Sequence, residues 1–522
     1  MRPPMTGSER SLGAGALRWL GLGSICVLLG SSVAPSAHAR LPLAGDADRA
    51  ARARAAILEL DVSAARTILE GADPADPVLA LERARLAIYR GDCDGAAAIL
   101  GRSDLSATAE GAQLGDIARG CARATAATVI VRDEERGIVV RLQDDDDRAL
   151  VPLLADTAVR VRENLAKDLG VLLPSPVWID LVRDQFTLSA MTGLPLQAAQ
   201  TTGTVAVAKW GRVTMISPRA TDDGYPWLDT LAHEMTHLAL SRGTRDKAPL
   251  WLQEGVAKRQ ETRWREAIPL DDFPPVDAVA SVGLAKGLGR PLDKLGPSIA
   301  MLPSPEEATV AFAAVASFIR YWAAEVGDQG LPSLLVKMKE AEDPAALERA
   351  IADVSGADLA GWDKRWRSYL ATQPRDLPAD MVPGADLPNM REISRKVRLG
   401  QLLHARGHYK QAAMQHARAQ ALLPTESTVR CYLAGSLLAA GDAVNAAPFV
   451  EKIEDVHNRT GRWWSLNGLL HPGTDGGERA FGVGISLHPL APEIACEEKA
   501  APALPKDPIR AALCEAARRV PR

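Results

Sequence analysis

The stretch LDTLAHEMTHLAL, residues 228–240, holds His233 and His237 four apart, with Glu234 between them. They are the only histidines between His38 and His404. On a helical wheel Leu228, Leu231, Met235 and Leu238 share one face, and the two histidines fall together opposite, flanked by Asp229 and Thr230. One side therefore packs while the other presents two imidazoles one turn apart, a spacing that can chelate a single zinc ion. Pro226 suits the first turn of such a helix and Gly243 its end. Glu234, a step round the helix, is able to reach a metal-bound water. Asp229, one turn before His233, has two readings: it orients that imidazole, or it is a solvated acid favouring the helix N-terminus.

A catalytic zinc needs a third protein ligand and an open fourth position. Seventeen residues beyond His237 lies Glu254, in PLWLQEGVAKRQ. Pro249 opens that helix, Trp251 and Leu252 supply apolar anchors, and Gly255 allows close backbone approach. The intervening SRGTRDKAPL is long enough for the second helix to fold back and aim Glu254 at the two histidines.

HEMTH followed by WLQEGVA resembles the peptidase MA-like gluzincins, whose pattern is HExxH, a short loop, then W-x-x-E-G-x-A. The resemblance spans residues 128–372 and is strongest over 225–262. It implies His233, His237 and Glu254 as ligands of one zinc ion, Glu234 as general base, a peptide bond as substrate, and an edge strand that binds extended peptide. Relatives often carry a tyrosine or histidine as the oxyanion donor. The matching stretch, VAFAAVASFIRYW, has Phe312 where that tyrosine is sought, which leaves Tyr321 and Tyr225 as candidates.

Other elements must hold these two helices. ATVIVRD and GIVVRLQ alternate as strands about a charged turn, SPVWIDLVRD reads as another, and GTVAVAKWGRVTMISPR as a hairpin turning at Trp210-Gly211. Between them RALVPLLADTAVRVRENLAKDLG is helical and closed by Gly170. A helical region then runs to about residue 372, and the Pro-rich QPRDLPADMVPGADLP, 373–388, reads as a linker.

Repeats lie on either side. LDVSAARTIL and GDCDGAAAIL align at a shift of 31, sharing Asp61/Asp92, Ala65/Ala96, Ile68/Ile99 and Leu69/Leu100. RGHYKQAA and AGDAVNAA align at a shift of 34, with Gly407/Gly441, Ala412/Ala446 and Ala413/Ala447 in register. Both pairs resemble degenerate tetratricopeptide repeats, about two units in each region, which implies surfaces for a peptide or a protein partner. The expected fold is thus multidomain and mainly α: a central α+β zincin-like domain with a small mixed sheet at 128–372, helical repeats at 40–127, and helical repeats with a C-terminal extension at 389–522.

The first 39 residues read as a secretory signal: Arg2, Arg10 and Arg18, then an apolar segment, then Ala37-His38-Ala39 with cleavage before Arg40. Cys26 resembles a lipoprotein cysteine only weakly, because Ile25 stands where a small residue is needed. An exported chain, periplasmic or extracellular and with no membrane span after cleavage, can form disulfides. The sequence-local pairings are Cys93–Cys121 and Cys496–Cys514, with Cys431 left over. The signal type and the family resemblance together imply a bacterial source. A net charge of −4, spread along the chain, points away from nucleic acid.

Three further features carry blander readings. His404 and His408, with Gly407 between them, read as repeat-turn histidines, QDDDDRA as a charged turn, and Trp463-Trp464 as repeat packing. Two functions follow: a zinc metallopeptidase served by its repeats, or a non-catalytic repeat scaffold carrying a structural or degenerate zincin domain. Glu234 separates them, since a purely structural site needs the ligands but not this carboxylate.

Overall fold

Short runs rich in β-branched and apolar residues build a five-stranded mixed sheet whose order is not the chain order. In the computed structural model β1 (Val129–Asp133) and β2 (Ile138–Leu142) pair antiparallel. The helix Val151–Leu169, stopped by Gly170 at φ 68°, leads to β3 (Val177–Val182), which lies parallel to β2. β4 (Ala206–Lys209) and β5 (Arg212–Ile216) form a hairpin whose loop residues Trp210 and Gly211 have φ 58° and 71°, the positive pair that a two-residue turn requires. β5, not β4, pairs with β3, so the order is β1-β2-β3-β5-β4 and β4 is left at the edge. The Ile216 N–H donates to the Val205 carbonyl at 2.8 Å. By antiparallel alternation, the backbone groups of Ala206 and Ala208 then turn outward, to the free edge.

The described residues are 44–221, 224–267, 271–272, 274–377, 382–383, 390–424, 426–451, 461–491, 495–496 and 507–519. The expected signal at 1–39, with Cys26, and most of the linker lie outside them.

The histidine helix, Trp227–Thr244, packs on β4, β5 and the helix Val151–Leu169, with Trp227, Leu231 and Met235 fully buried. It runs one residue past Gly243 and ends where Arg245 and Asp246 turn left-handed, at φ 54° and 58°. The glutamate helix, Leu250–Gln260, folds back against it and also against the helix Pro305–Val326. Trp251 meets Phe318 edge-on at 5.5 Å, and Phe318 meets Trp366 at 5.9 Å. Pro305–Val326 is long and apolar enough to cross a membrane, yet its Val315, Phe318, Ile319 and Trp322 are buried in this core.

The flanking helices form hairpins with one shared turn. Leu60, Gly91, Gly407 and Gly441 all have positive φ, 57–83°. At each, the N–H donates three residues back (to Ile57, Ile88, His404 and Leu438), and the next N–H reaches five back (to Ala56, Ala87, Leu403 and Leu437). This double bond closes a helix at a left-handed residue. Asp61, Asp92 and Asp442 then cap the following helices. Ala65, Ala96, Ala412 and Ala446 are fully buried at the equivalent contact. Cys93–Cys121 and Cys496–Cys514 are bonded, and Cys431 is buried and belongs to neither bridge. Trp463 and Trp464 are buried in the C-terminal hairpins, and the QDDDDRA acids are held largely by Arg219.

The last helices also reach beyond those hairpins, although Ala480 still packs with Trp463 and Trp464. Phe481 and Ile485 of Asp475–Leu487, and Leu513 and Ala516 of Asp507–Arg519, join the core of the sheet and the histidine helix. The Tyr225 N–H donates to Leu487 O at 3.0 Å, and Arg519 pairs with Asp146 at 3.0 Å.

Candidate metal centre

Three side chains from two adjacent helices bring their donor atoms together. His233 Nε2 and His237 Nε2 are 3.2 Å apart, and Glu254 Oε2 lies 3.5 Å from the first and 3.6 Å from the second. A zinc ion about 2.0–2.1 Å from each donor, in tetrahedral directions, separates them by about 3.3 Å. The triangle fits that requirement on every edge, so His233, His237 and Glu254 could hold a metal ion.

Each imidazole is also addressed from behind. His237 Nδ1 lies 3.1 Å from Gln253 Oε1, which accepts its proton and leaves the Nε2 lone pair free for a cation. His233 Nδ1 lies 3.6 Å from Glu261 Oε1 and has no hydrogen-bond partner among the described residues. Lys258 holds Glu261 with donations of 2.7 and 3.0 Å.

The local field is negative. Burial alone would lower His233, but the Glu254 and Glu261 carboxylates beside its two nitrogens outweigh it and raise the imidazole to about 10. Burial works against the Glu254 carboxylate, yet His237 and His233 hold it below the usual range. Glu261 falls to about 2, because Lys258 and His233 overcome its burial. The Glu254 and Glu261 carboxylates set about His233 would likewise favour a divalent cation.

Glu234 is buried, and its Oε2 accepts the Ala208 N–H at the free edge of β4. Burial raises its carboxyl by more than His237 and His233 lower it. That is the direction expected of a group that must take up and release a proton near neutrality.

The other expected residues lie differently. Asp229 does not orient His233: its carboxylate takes the Trp264 indole N–H at 3.0 Å and pairs with Arg265 at 2.6 Å, and Glu261 faces the imidazole instead. Nor is it a solvated acid, since it is mostly buried. The Tyr225 hydroxyl donates to Ile216 O. Tyr321 stacks on Tyr369 at 4.9 Å and meets Trp362. Phe312 packs half-buried against the core. His404 Nδ1 lies 3.2 Å from Ser436 Oγ, while His408 opens the next helix, so these two do not form a second centre. Sequence reasoning missed Gln253, Lys258, Glu261 and Ala208. Gln253 adjoins Glu254, and Glu261 is two helical turns beyond it; helical spacing alone could have raised both.

No family model matches the chain, and no curated protein matches it.

Proposed function

We propose that the chain is an exported zinc metallopeptidase, gluzincin-like over residues 128–372 and flanked by degenerate tetratricopeptide repeats that bind its substrate or a protein partner. The observation that carries the reading is a His-His-Glu triangle of tetrahedral dimensions beside a buried glutamate tied to the free edge of a strand. His233, His237 and Glu254 would hold the ion, with Gln253 fixing the tautomer of His237. Zinc, when bound, would acidify a water and polarise the scissile carbonyl. Glu234 would take the proton of the attacking water and pass it to the leaving amine. The outward groups of Ala206 and the outward carbonyl of Ala208, whose N–H is held by Glu234, would pair with an extended peptide laid along β4 and so set its register at the site. Two bonded cysteine pairs support an oxidising compartment.

One observation favours the scaffold reading: both tyrosines considered as oxyanion donors are engaged elsewhere. Metal analysis and a cleavage assay decide between the two. The parent is expected to carry about one zinc, and His233→Ala and Glu254→Ala little. Glu234→Gln is expected to keep its zinc and lose turnover of casein or a peptide library. If parent and Glu234→Gln are equally inert on broad libraries, the scaffold reading replaces the peptidase.

A further inference from the structure

We propose that Glu261, held by Lys258, is a positioning residue that orients His233 for metal binding, so that one helical face supplies both a ligand and the carboxylate behind another ligand. The inference rests on the reading of His233, His237 and Glu254 as a metal centre.

Glu254 and Glu261 are seven apart, two turns along one face, and a helix carries that separation over about 10.5 Å. Glu261 follows the last residue of the glutamate helix, but its backbone is still right-handed helical and its N–H donates to Ala257 O at 3.0 Å, so the face continues to it. The His233 ring stands between the two carboxylates, with Nε2 3.5 Å from Glu254 and Nδ1 3.6 Å from Glu261. An imidazole bound to a cation through one nitrogen needs an acceptor on the other to fix its tautomer and plane. Nδ1 of His233 is buried and makes no hydrogen bond among the described residues. Glu261 is the acid facing it, a few tenths of an ångström beyond a normal hydrogen bond.

Lys258 sits between the two glutamates in sequence, four after Glu254 and three before Glu261. Its ammonium spans both oxygens of Glu261, which fixes where that carboxylate points and offsets its charge. The two imidazoles are thus supported unequally. His237 has a neutral amide behind it and His233 a carboxylate, so His233 is the more strongly polarised donor. A bare surface ion pair between Lys258 and Glu261 would place no requirement on which way Glu261 Oε1 faces.

The test measures zinc affinity of the purified full chain by chelator competition, with cobalt(II) absorption as a second reading of ligand geometry. Glu261→Gln is expected to bind zinc 10–100-fold more weakly than the parent and to shift the cobalt bands, with the metal-free melting temperature unchanged. Glu261→Asp, which keeps the charge but withdraws it, is expected to fall between the two and serves if the glutamine variant does not fold. Lys258→Met is expected to weaken zinc by less than Glu261→Gln. Parent-like zinc affinity and cobalt spectrum in Glu261→Gln would overturn the positioning role while leaving the metal centre intact. If neither parent nor His233→Ala binds zinc, the metal centre falls, and the positioning role with it.

Discussion

Gly255 offers the sharpest test of how packing sets the metal site. It follows Glu254 directly, where the glutamate helix crosses Pro305–Val326. A Cβ added there would lie 2.6 Å from the Val315 carbonyl oxygen and closer still to the Ile319 side chain. A carbon rests about 3.3 Å or more from a carbonyl oxygen, so the two helices must part by roughly 0.7 Å. Overpacking of this kind costs about 1–3 kcal/mol, offset by the ~0.5–1 kcal/mol that alanine gains over glycine inside a helix. A net loss near ~1 kcal/mol should lower the melting point by about 2 °C. The larger effect falls on the metal, because ligand distances tolerate only about ±0.2 Å and Glu254 rides on the displaced helix. Gly255→Ala is therefore expected to lower zinc affinity at least tenfold in a chelator titration. Gly243→Ala is the control: its Cβ would crowd one side-chain methyl, that of Val171 at 2.9 Å, with Leu335 at an ordinary 3.7 Å and no backbone in the way, and zinc affinity should hold. If Gly255→Ala melts with the parent and binds zinc as tightly, backbone approach at Gly255 does not set the position of Glu254.

Two other outcomes follow from buried groups. His416 is 1% exposed beside Ser436, Tyr432 and Gly400, and burial drops it from 6.5 to about 4. The unfolded chain takes up that proton near pH 6.5 and the folded chain only near 4, so stability is full above the first value and is lost as pH falls between them. The loss is roughly 3 kcal/mol. Urea midpoints at pH 7 and pH 4.5 should show it in the parent and much less of it in His416→Gln. The Cys93–Cys121 bridge closes a 28-residue separation, which corresponds to roughly 3–4 kcal/mol of chain entropy. Cys121→Ser should show a loss of that order in its denaturant midpoint, and an unchanged midpoint would contradict the estimate.

The two helices of the centre were legible because their chemistry is local. HExxH fixes two imidazoles by helical geometry alone, and W-x-x-E-G carries an anchor, a ligand and a close-approach glycine within five residues. The turns of the flanking helical hairpins were legible for the same reason, though Leu60 stands where the next hairpin has Gly91, and only the backbone reveals that both are left-handed. Asp229 was misread because its partners, Trp264 and Arg265, lie 35 and 36 residues away. The strand order was hidden because β4 is laid one position beyond β3 and β5 returns to fill the gap between them, and no local pattern encodes that choice. Glu261 escaped notice because it belongs to no motif and matters only once His233 stands beside it.

The return of the final helices to the sheet changes what the Pro-rich stretch at 373–388 means for anyone dividing the gene. Stopping translation there would strip Phe481, Ile485, Leu513 and Ala516 from the apolar interior they share with Trp227 and Met235, and would bare that interior to water. A protease nick at the same place removes nothing, so the two fragments should remain clasped. What reads in the sequence as a boundary between modules joins stretches that share one apolar interior.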